Sequence, residues 1–238
     1  LKTKGFTQCA ILGRAGTGKT TISKLIIRYL EEYLHSDYRL VTPTHKSKKV
    51  LSEHIQRDAT TIHQLLKLKP DLNILDLDLR DLKFCSATLT DNVPENGVIL
   101  VDECSMINDD LYETVVKSCK EKKSKIIWQG DIKQLAPVNQ RRVSKVFQCD
   151  NLFELTEVYR QANDNPLLDI LETLRKRPIF DFKPFKSERG SLILFDSWKA
   201  LIRAKIGLFE EALIEQDPDK IKLLAYTNRR VAAFNKVI

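Results

Sequence analysis

A glycine-rich stretch near the start of the chain has residue types and spacing that suit phosphate binding. Residues 13–20, GRAGTGKT, match the pattern G-x-x-x-x-G-K-[ST] between a β-prone run and a helical pattern. Glycines let backbone N–H groups converge on phosphate oxygens, and a helix start adds partial positive charge. We expect Lys19 to reach the β- and γ-phosphates and the Thr20 hydroxyl to ligate Mg²⁺.

This stretch predicts ATP or GTP binding, and a chance glycine-rich turn is the alternative interpretation. The residues expected to surround the nucleotide are Gly13, Ala15, Gly16, Thr17, Gly18, Lys19, Thr20 and Thr21.

An acidic pair follows a continuous apolar run, as expected at the end of a buried strand. Residues 97–102 read GVILVD, and Glu103 comes next. We expect Asp102 to hold Mg²⁺, directly or through water, and Glu103 to orient and deprotonate the attacking water. A solvated acidic pair at a strand end is the alternative. Paired carboxylates favour hydrolysis over phosphoryl transfer to a small molecule.

The elements that must position these residues alternate between strand and helix patterns. Apolar strand patterns occur at 7–12, 38–43, 97–102 and 124–129, and helical patterns occur between them at 20–34, 46–57, 62–68 and 109–119. Strands separated by helices favour parallel pairing and a doubly wound α/β sheet. Residues 67–95, rich in Leu and Asp, do not fit the alternation and predict an inserted arm.

The alternation restarts after residue 150, which predicts a second domain over 151–238. Its patterns are strands at 154–158, 191–195 and 221–226, and helices at 166–176, at 197–215 and at the end of the chain. The chain starts without methionine and ends within a helical pattern, so we expect it to be a fragment.

Composition limits the class of protein and its partners. The formal net charge of +7 suits a partner rich in phosphate, although many soluble proteins are mildly basic. The five cysteines are dispersed without a CxxC pair, which argues against a disulfide framework and a zinc site and predicts a cytoplasmic location. No apolar run approaches the ~18 residues of a membrane span, so no membrane partner is expected.

Six further segments occur in an order that resembles the RecD-like branch of superfamily 1 DNA helicases, which includes the exonuclease V alpha subunit and the Dda helicase of phage. They are TPTHKSKKVL (42–51), TTIHQLL (60–66), DECSM (102–106), GDIKQLAPV (130–138), LTEVYRQ (155–161) and LLAYTNRRVAAFN (223–235). The resemblance implies a RecA-like motor domain 1A over 1–150 and part of a second RecA-like domain, 2A, over 151–238. The arm at about 67–95 would be a pin-like 1B subdomain.

The resemblance also implies roles for residues around the nucleotide. Gln134 would couple the state of the nucleotide to the grip on nucleic acid; a polar turn is the alternative. Tyr159 would pack on adenine, and Arg160 would reach the γ-phosphate from the second domain. A core tyrosine and a surface ion-pair partner are the alternatives for these two.

Two segments of the first domain and one of the second are candidates for nucleic-acid contact. Neutral donors and lysines near helix starts suit backbone phosphates, and the resemblance places single-stranded DNA on them. The residues are Pro43, Thr44, His45, Lys46, Thr61, His63, Thr227 and Asn228. A solvated lysine-rich helix face and a buried His63 are the alternatives.

The function that the resemblance implies is an ATP- and Mg²⁺-dependent 5′-to-3′ DNA helicase or translocase motor acting on single-stranded DNA. Helicase–nuclease, replication, repair or recombination partners are also implied. The alternatives are a P-loop ATPase that serves as a nucleic-acid-binding switch without unwinding, and one that acts on protein partners. The upstream glutamine motif and the later motor motifs are missing from this sequence, so we expect that this fragment itself does not unwind duplexes.

Overall fold

The computed structural model describes residues 5–70, 84–86, 91–137, 140, 142–158, 166–177, 183–188, 190–217, 219–225 and 227–237. The chain forms two compact units, residues 1–161 and 162–238. The division therefore lies between residues 161 and 162, later in the chain than the sequence pattern places it.

A six-stranded, fully parallel sheet forms the centre of the first unit. Its order is β3-β2-β6-β7-β1-β8, and every neighbouring pair is parallel. The strands are β1 (Gln8–Gly13), β2 (Tyr38–Thr42), β3 (Ala59–Thr61), β6 (Val98–Val101), β7 (Lys125–Gly130) and β8 (Leu152–Leu155). This arrangement confirms the predicted parallel α/β fold.

The strand β8 explains why the division lies later than predicted. The pattern at 154–158 was assigned to the second domain, but β8 pairs with β1 in the first unit, with Ala10 opposite Leu152. A strand pattern does not specify its partner. Without β8, the strand that leads into the glycine-rich loop would be an exposed sheet edge.

Helices cover both faces of this sheet because side chains alternate across each strand. They are α1 (Lys19–Tyr29), which continues as a π-helical turn (Leu30–Leu34), α2 (His45–Ile55), α3 (Ile62–Leu65) and α4 (Asp109–Glu121). Leu100 and Ile127 pack with α1 and α2 on one face, whereas Val101 and Trp128 pack with α3 and α4 on the other. All four residues of β6 are buried, as the apolar run predicts.

The insertion expected at 67–95 begins as an antiparallel ribbon. Strand β4 (Leu68–Pro70) pairs with β5 (Phe84–Ser86), with Lys69 opposite Cys85. The chain then returns to the sheet, where the Asn92 N–H donates to the Leu65 carbonyl at 2.8 Å. The acidic residues predicted for the arm at 71–81 lie outside the described residues, and the pin-like role stays a prediction.

The second unit contains α5 (Pro166–Lys176), the antiparallel pair β9 (Phe185–Ser187) and β10 (Gly190–Leu192), α6 (Trp198–Ile214) and α7 (Asn228–Phe234). The helices at 166–176 and 197–215 were predicted. The strand predicted at 221–226 is wrong, since residues 221–225 form no regular element. A strand needs a neighbour for its backbone hydrogen bonds, and in the described part of this unit only β9 and β10 pair. The RecA-like identity of this unit stays a prediction.

No helix in the described ranges is both long and apolar enough to cross a membrane.

Gly130 ends β7 directly beside the 3₁₀ turn Cys104–Met106, which follows β6. A Cβ atom at position 130 would lie 2.7 Å from Cys104 Sγ and 3.3 Å from the Cys104 nitrogen. Cys104 is fully buried, so an added methyl group would press on a packed part of the core. Glycine at this position therefore allows the ends of β6 and β7 to approach each other.

We predict that Gly130→Ala lowers the free energy of unfolding by about 1–3 kcal/mol, the typical cost of overpacking. Urea denaturation followed by circular dichroism measures this change. Gly207→Ala is a suitable control because Gly207 lies in α6 with no atom within 4 Å of an added Cβ. That substitution should stabilise its helix by about 0.5–1 kcal/mol. An unchanged transition in Gly130→Ala would contradict the steric argument.

Candidate active site

The glycine-rich loop joins β1 to α1, in the context that the sequence predicts. Gly16 and Gly18 have φ angles of 84° and 87°, in the left-handed region that favours glycine. Gly18 is also the N-cap of α1. The two residues turn the chain sharply between the strand and the helix.

Side chains of the loop hold its backbone in place. The Lys19 ammonium group donates to the carbonyls of Gly13 at 2.6 Å and Arg14 at 3.1 Å. The Thr17 hydroxyl is buried and donates to the same Arg14 carbonyl at 2.8 Å. Thr17, predicted to surround the nucleotide, therefore also shapes the loop. Lys19 lies at the loop carbonyls, at the start of α1.

The start of α1 suits an anion. Gly18 supplies no capping side chain, and the first turn carries no acidic residue. The first N–H groups of a helix lack partners within the helix, and they carry partial positive charge. Together with the Lys19 ammonium group, they form a site for phosphate oxygens.

Most of the residues predicted to bind phosphate, hold a metal ion and activate water line one cleft of about 480 Å³, within the usual range of small-molecule sites. Its lining residues are Ala15, Gly16, Gly18, Lys19, Thr20, Thr21, Lys24, Val50, His54, Asp102, Glu103 and Gln134. Gly13 and Thr17, also predicted to surround the nucleotide, do not line it. Tyr159 and Arg160, predicted to complete the site, lie outside the described residues.

The acidic pair follows β6 at the edge of the cleft, and Glu103 has unusual backbone geometry. Its φ angle of 55° lies in the left-handed region, which is costly for a residue with a side chain. Such geometry persists where the surrounding structure demands it, and it clusters at functional sites. Here the turn that begins at Glu103 is packed against Gly130 of β7.

Burial raises the pKa values of both carboxyl groups. For Asp102, burial is the main cause, and a backbone hydrogen bond and nearby Lys19 oppose it. For Glu103, burial and then the charge of Asp102 raise the pKa, whereas Lys19 and a hydrogen bond from the Gln134 side chain lower it. Two desolvated carboxylates beside one another favour a bound cation.

The residues present fit a nucleotide-bound Mg²⁺ ion. Thr20 and Asp102 line the same cleft. The described part of the chain contains no group of three or more His, Cys, Asp or Glu that could hold a metal by itself. Mg²⁺ at nucleotide sites typically uses one or two carboxylates together with phosphates and water, so Thr20 and Asp102 would be its protein ligands.

Gln134 joins this site to the loop after β7. Its side-chain amide is hydrogen-bonded to Glu103, and its amide oxygen accepts from the Ser105 hydroxyl at 3.2 Å. Asp131 shapes the loop: its carbonyl accepts from the Gln134 N–H at 3.0 Å and its carboxylate from the Lys133 N–H at 2.9 Å. A movement of this loop would therefore reach the proposed general base directly.

The two candidate nucleic-acid segments of the first unit lie at the same edge of the sheet. They follow β2 and β3, which are parallel, with Thr42 opposite Thr61. Beyond these ends, Pro43 is half-buried, whereas His45 and Lys46 are exposed at the start of α2. The segments are separate in sequence, and the sheet brings them together.

The threonines of these segments cap helices. Thr44 caps α2 by accepting from the Ser47 N–H at 3.2 Å. Thr61 is only 2% exposed and forms a capping box with Gln64 at the start of α3. Its hydroxyl is therefore committed to the fold, and its part in binding would be to position α3. Burial, and the nearby His45, lower the pKa of His63.

Thr227 in the second unit has the same local arrangement as Thr44. Each has an extended backbone, and each hydroxyl accepts from the N–H three residues later, that of Arg230 in the case of Thr227. Asn228 begins α7. The two positions therefore share a local structure, and their contact with nucleic acid stays a prediction.

Three residues that line the cleft were not predicted. Lys24 lies about one turn after Thr20 and Thr21 on α1, so helical spacing contained a signal for it. Val50 and His54 come from α2. Their position depends on the packing of α2 beside α1, which no local pattern specifies.

Glu103 supplies a pH-dependent prediction. Because its pKa is higher in the folded than in the unfolded protein, ionised Glu103 destabilises the fold. This penalty begins to shrink as pH falls through the raised pKa and is gone below the pKa of the unfolded protein. Glu103→Gln should therefore raise the free energy of unfolding at about pH 8 but not below about pH 4, where the carboxyl is protonated in both states. Denaturant unfolding at both pH values measures this.

Glu121→Gln is the matched control, since it removes the same charge from an exposed position on α4. Its effect should stay within about 0.5 kcal/mol. If Glu103→Gln raises the free energy of unfolding equally at both pH values, loss of the charge is not the cause.

Comparison with known proteins identifies relatives. The AAA domain family matches residues 1–179. The ATP-dependent DNA helicase Dda of Enterobacteria phage T4 is 30% identical over 247 aligned positions, covering 96% of this chain and 51% of that protein. The ATP-dependent RecD2 DNA helicase of Deinococcus radiodurans is 30% identical over 168 positions, covering 69% of this chain and 21% of that protein.

Among solved structures, the Pif1 helicase from Candida albicans matches with a TM-score of 0.48 and 20% identity, covering 71% of this chain and 40% of that one. The chain spans about half the length of the phage relative. The homology to Dda and RecD2 confirms the resemblance to RecD-like helicases. Since the family match covers the glycine-rich loop, the acidic pair and Gln134, the chain belongs to the AAA domain family.

Proposed function

We propose that the protein containing this chain is a DNA motor, a 5′-to-3′ helicase or translocase that couples ATP hydrolysis to movement along single-stranded DNA. The observation that carries the proposal is the single cleft that gathers Lys19, Asp102, Glu103 and Gln134. The names of the Dda and RecD2 relatives, both ATP-dependent DNA helicases, support it.

Four residues of the cleft have a proposed chemical task in ATP hydrolysis. Lys19 and the first N–H groups of α1 bind the phosphates and offset their negative charge. Thr20 and Asp102 would hold Mg²⁺, which would neutralise phosphate charge when bound. Glu103 accepts a proton from the attacking water, and its raised pKa brings its basicity closer to that of an effective general base at neutral pH.

Two further residues complete this proposal from the family resemblance. Arg160 would add a positive charge at the γ-phosphate, a contribution worth about 10³–10⁵ in rate in related chemistry. Tyr159 would pack against adenine and so favour ATP. Both belong to the segment 155–161 that matched the family pattern.

Coupling between ATP and DNA would pass through Gln134. Its amide contacts Glu103 and Ser105, and its backbone belongs to the loop that Asp131 shapes. A change at the γ-phosphate that moves Glu103 therefore also moves the loop after β7. The loops after β2 and β3, which carry the candidate DNA contacts, lie at the same edge of the sheet.

The grip on DNA would use backbone phosphates rather than base edges. His45 and Lys46 are exposed next to the start of α2, where helix geometry favours anions. Thr227 and Asn228, in a second unit proposed to be part of a RecA-like domain 2A, would form the second grip. Two DNA-binding sites that close and open with the state of the nucleotide would move the protein along the strand in steps.

The broader cellular context also remains a proposal. Partners in a helicase–nuclease complex of the exonuclease V type, and roles in DNA repair and recombination, extend the RecD-like homology. We also propose a cytoplasmic location, which the dispersed cysteines support; the four that the structure describes are free thiols.

We predict that Glu103→Gln leaves ATP bound but slows its hydrolysis about 10²–10⁴-fold, because the general base is lost. The test measures ATP turnover by the full-length protein, with and without single-stranded DNA, and ATP binding by equilibrium titration. DNA should stimulate turnover by the wild-type protein.

Lys19→Ala is the control for binding, since it should abolish nucleotide binding itself. Full turnover in Glu103→Gln would place the general base elsewhere. Lack of stimulation by DNA in the full-length protein would favour a nucleic-acid-binding switch over a motor.

We also predict that Lys46→Ala weakens binding to single-stranded DNA to a similar extent for every sequence. The loss of one phosphate contact should reduce the slope of log K against log salt concentration by about 0.7. Fluorescence anisotropy over a salt series measures this slope. Lys117→Ala removes an exposed lysine from α4, on the opposite face of the sheet, and should leave the slope unchanged. Equal slopes for all three proteins would exclude Lys46 from the DNA path.

A further inference from the structure

A buried polar pair lies directly behind the start of α1. Ser23 on α1 and Gln129 on β7 are both fully buried, with 0% of their surface exposed. The Ser23 hydroxyl and Gln129 Oε1 are 2.5 Å apart. The side chains of a helix and a strand that are far apart in sequence are thus joined by a short hydrogen bond.

The third member of this group is the backbone carbonyl of Lys19. Gln129 Nε2 donates to it at 3.4 Å, and the Ser23 hydroxyl lies 3.1 Å from it. A hydroxyl has one proton and an amide oxygen only accepts, so Ser23 donates to Gln129 Oε1 while Gln129 Nε2 donates to the Lys19 carbonyl. The carbonyl that is held belongs to the residue whose ammonium group is proposed to bind the phosphates.

Gln129 is costly at this position. Two residues earlier on the same face of β7, Ile127 packs in the apolar cluster with Ile11 and Ile27. An amide buried among such residues loses its hydration, and the loss is offset only if its hydrogen bonds are satisfied. An aliphatic residue would fill this place without that requirement. Hence the amide has a specific partner, and the partner is the start of α1.

We propose that Gln129 is a positioning residue for nucleotide binding. By holding the Lys19 carbonyl, it keeps Lys19 and Thr20 in register with the end of β7, where Asp131 and Gln134 follow. It touches neither phosphate nor water, so it acts through the residues that do. This inference rests on the proposed function, because it concerns the same nucleotide site.

The test separates positioning from simple stability. The free energy of unfolding comes from urea denaturation, and the dissociation constant comes from titrating the 238-residue chain with a fluorescent N-methylanthraniloyl derivative of ATP in the presence of Mg²⁺. Gln129→Leu should weaken binding about tenfold, a size typical when a residue behind a directly binding group is lost. Ser23→Ala should weaken binding less, since the bond from Gln129 to Lys19 remains.

The double variant Ser23→Ala/Gln129→Leu provides the decisive comparison. Removing both polar partners avoids an unsatisfied buried group, so stability should return towards that of the wild type. Binding should stay about tenfold weaker, because no side chain then links the Lys19 carbonyl to β7. If Gln129→Leu does not fold, this double variant supplies the measurement. If the double variant regains wild-type nucleotide affinity together with wild-type stability, the positioning role of Gln129 is overturned.

Two controls complete the design. Ser124→Ala changes another fully buried serine, which precedes β7 at its opposite end and donates to the Pro94 carbonyl. It should lower stability without changing nucleotide binding. Ser23→Thr keeps the hydroxyl and should keep wild-type affinity. If Lys19→Ala binds the nucleotide as well as the wild type does, the proposed function itself fails; if binding needs Lys19 but not Gln129, only this inference fails.

Discussion

Parallel pairing is the constraint on which the rest of this structure depends. Because the strands of the first unit run in one direction, the carboxyl ends of β1, β2, β3, β6 and β7 meet at one edge of the sheet. The glycine-rich loop, the acidic pair, the loop of Gln134 and the two candidate nucleic-acid segments each follow one of those ends. The residues predicted to bind phosphate, transfer a proton and contact nucleic acid are thereby brought together, although they are dispersed through the sequence.

Bringing the charged groups of the site together lowers the stability of the fold. Asp102 and Glu103 are partly desolvated side by side, and Glu103 has a left-handed backbone. Lys19 offsets part of the charge, and Gly130 gives the turn after Glu103 the space that it needs. Apolar clusters on both faces of the sheet offset part of this cost.

Local patterns were sufficient wherever function depends on neighbours in sequence. The spacing of 13–20 predicted a strand, a tight loop and a helix, and the run before Asp102 predicted a buried strand. Patterns failed where the structure of a segment depends on a partner that is distant in sequence. The segment at 154–158 did not reveal that β8 pairs with β1, and 221–225 resembled a strand but has no partner strand in the described part of its unit. Thr61, a candidate for contact with nucleic acid, is buried, and its hydroxyl caps α3.

Gln129 departs from the apolar pattern of its strand, and this departure carries information about the fold. It stands at the end of an apolar strand, where an aliphatic residue would suit burial better. From the sequence alone, such a glutamine indicates either an exposed strand end or a polar partner elsewhere in the fold. The structure removes the first option, since Gln129 is fully buried against Ser23 and the Lys19 carbonyl. A buried polar residue at a position that suits an apolar one therefore indicates a group whose geometry must be maintained. Here that group is the Lys19 carbonyl, at the start of α1.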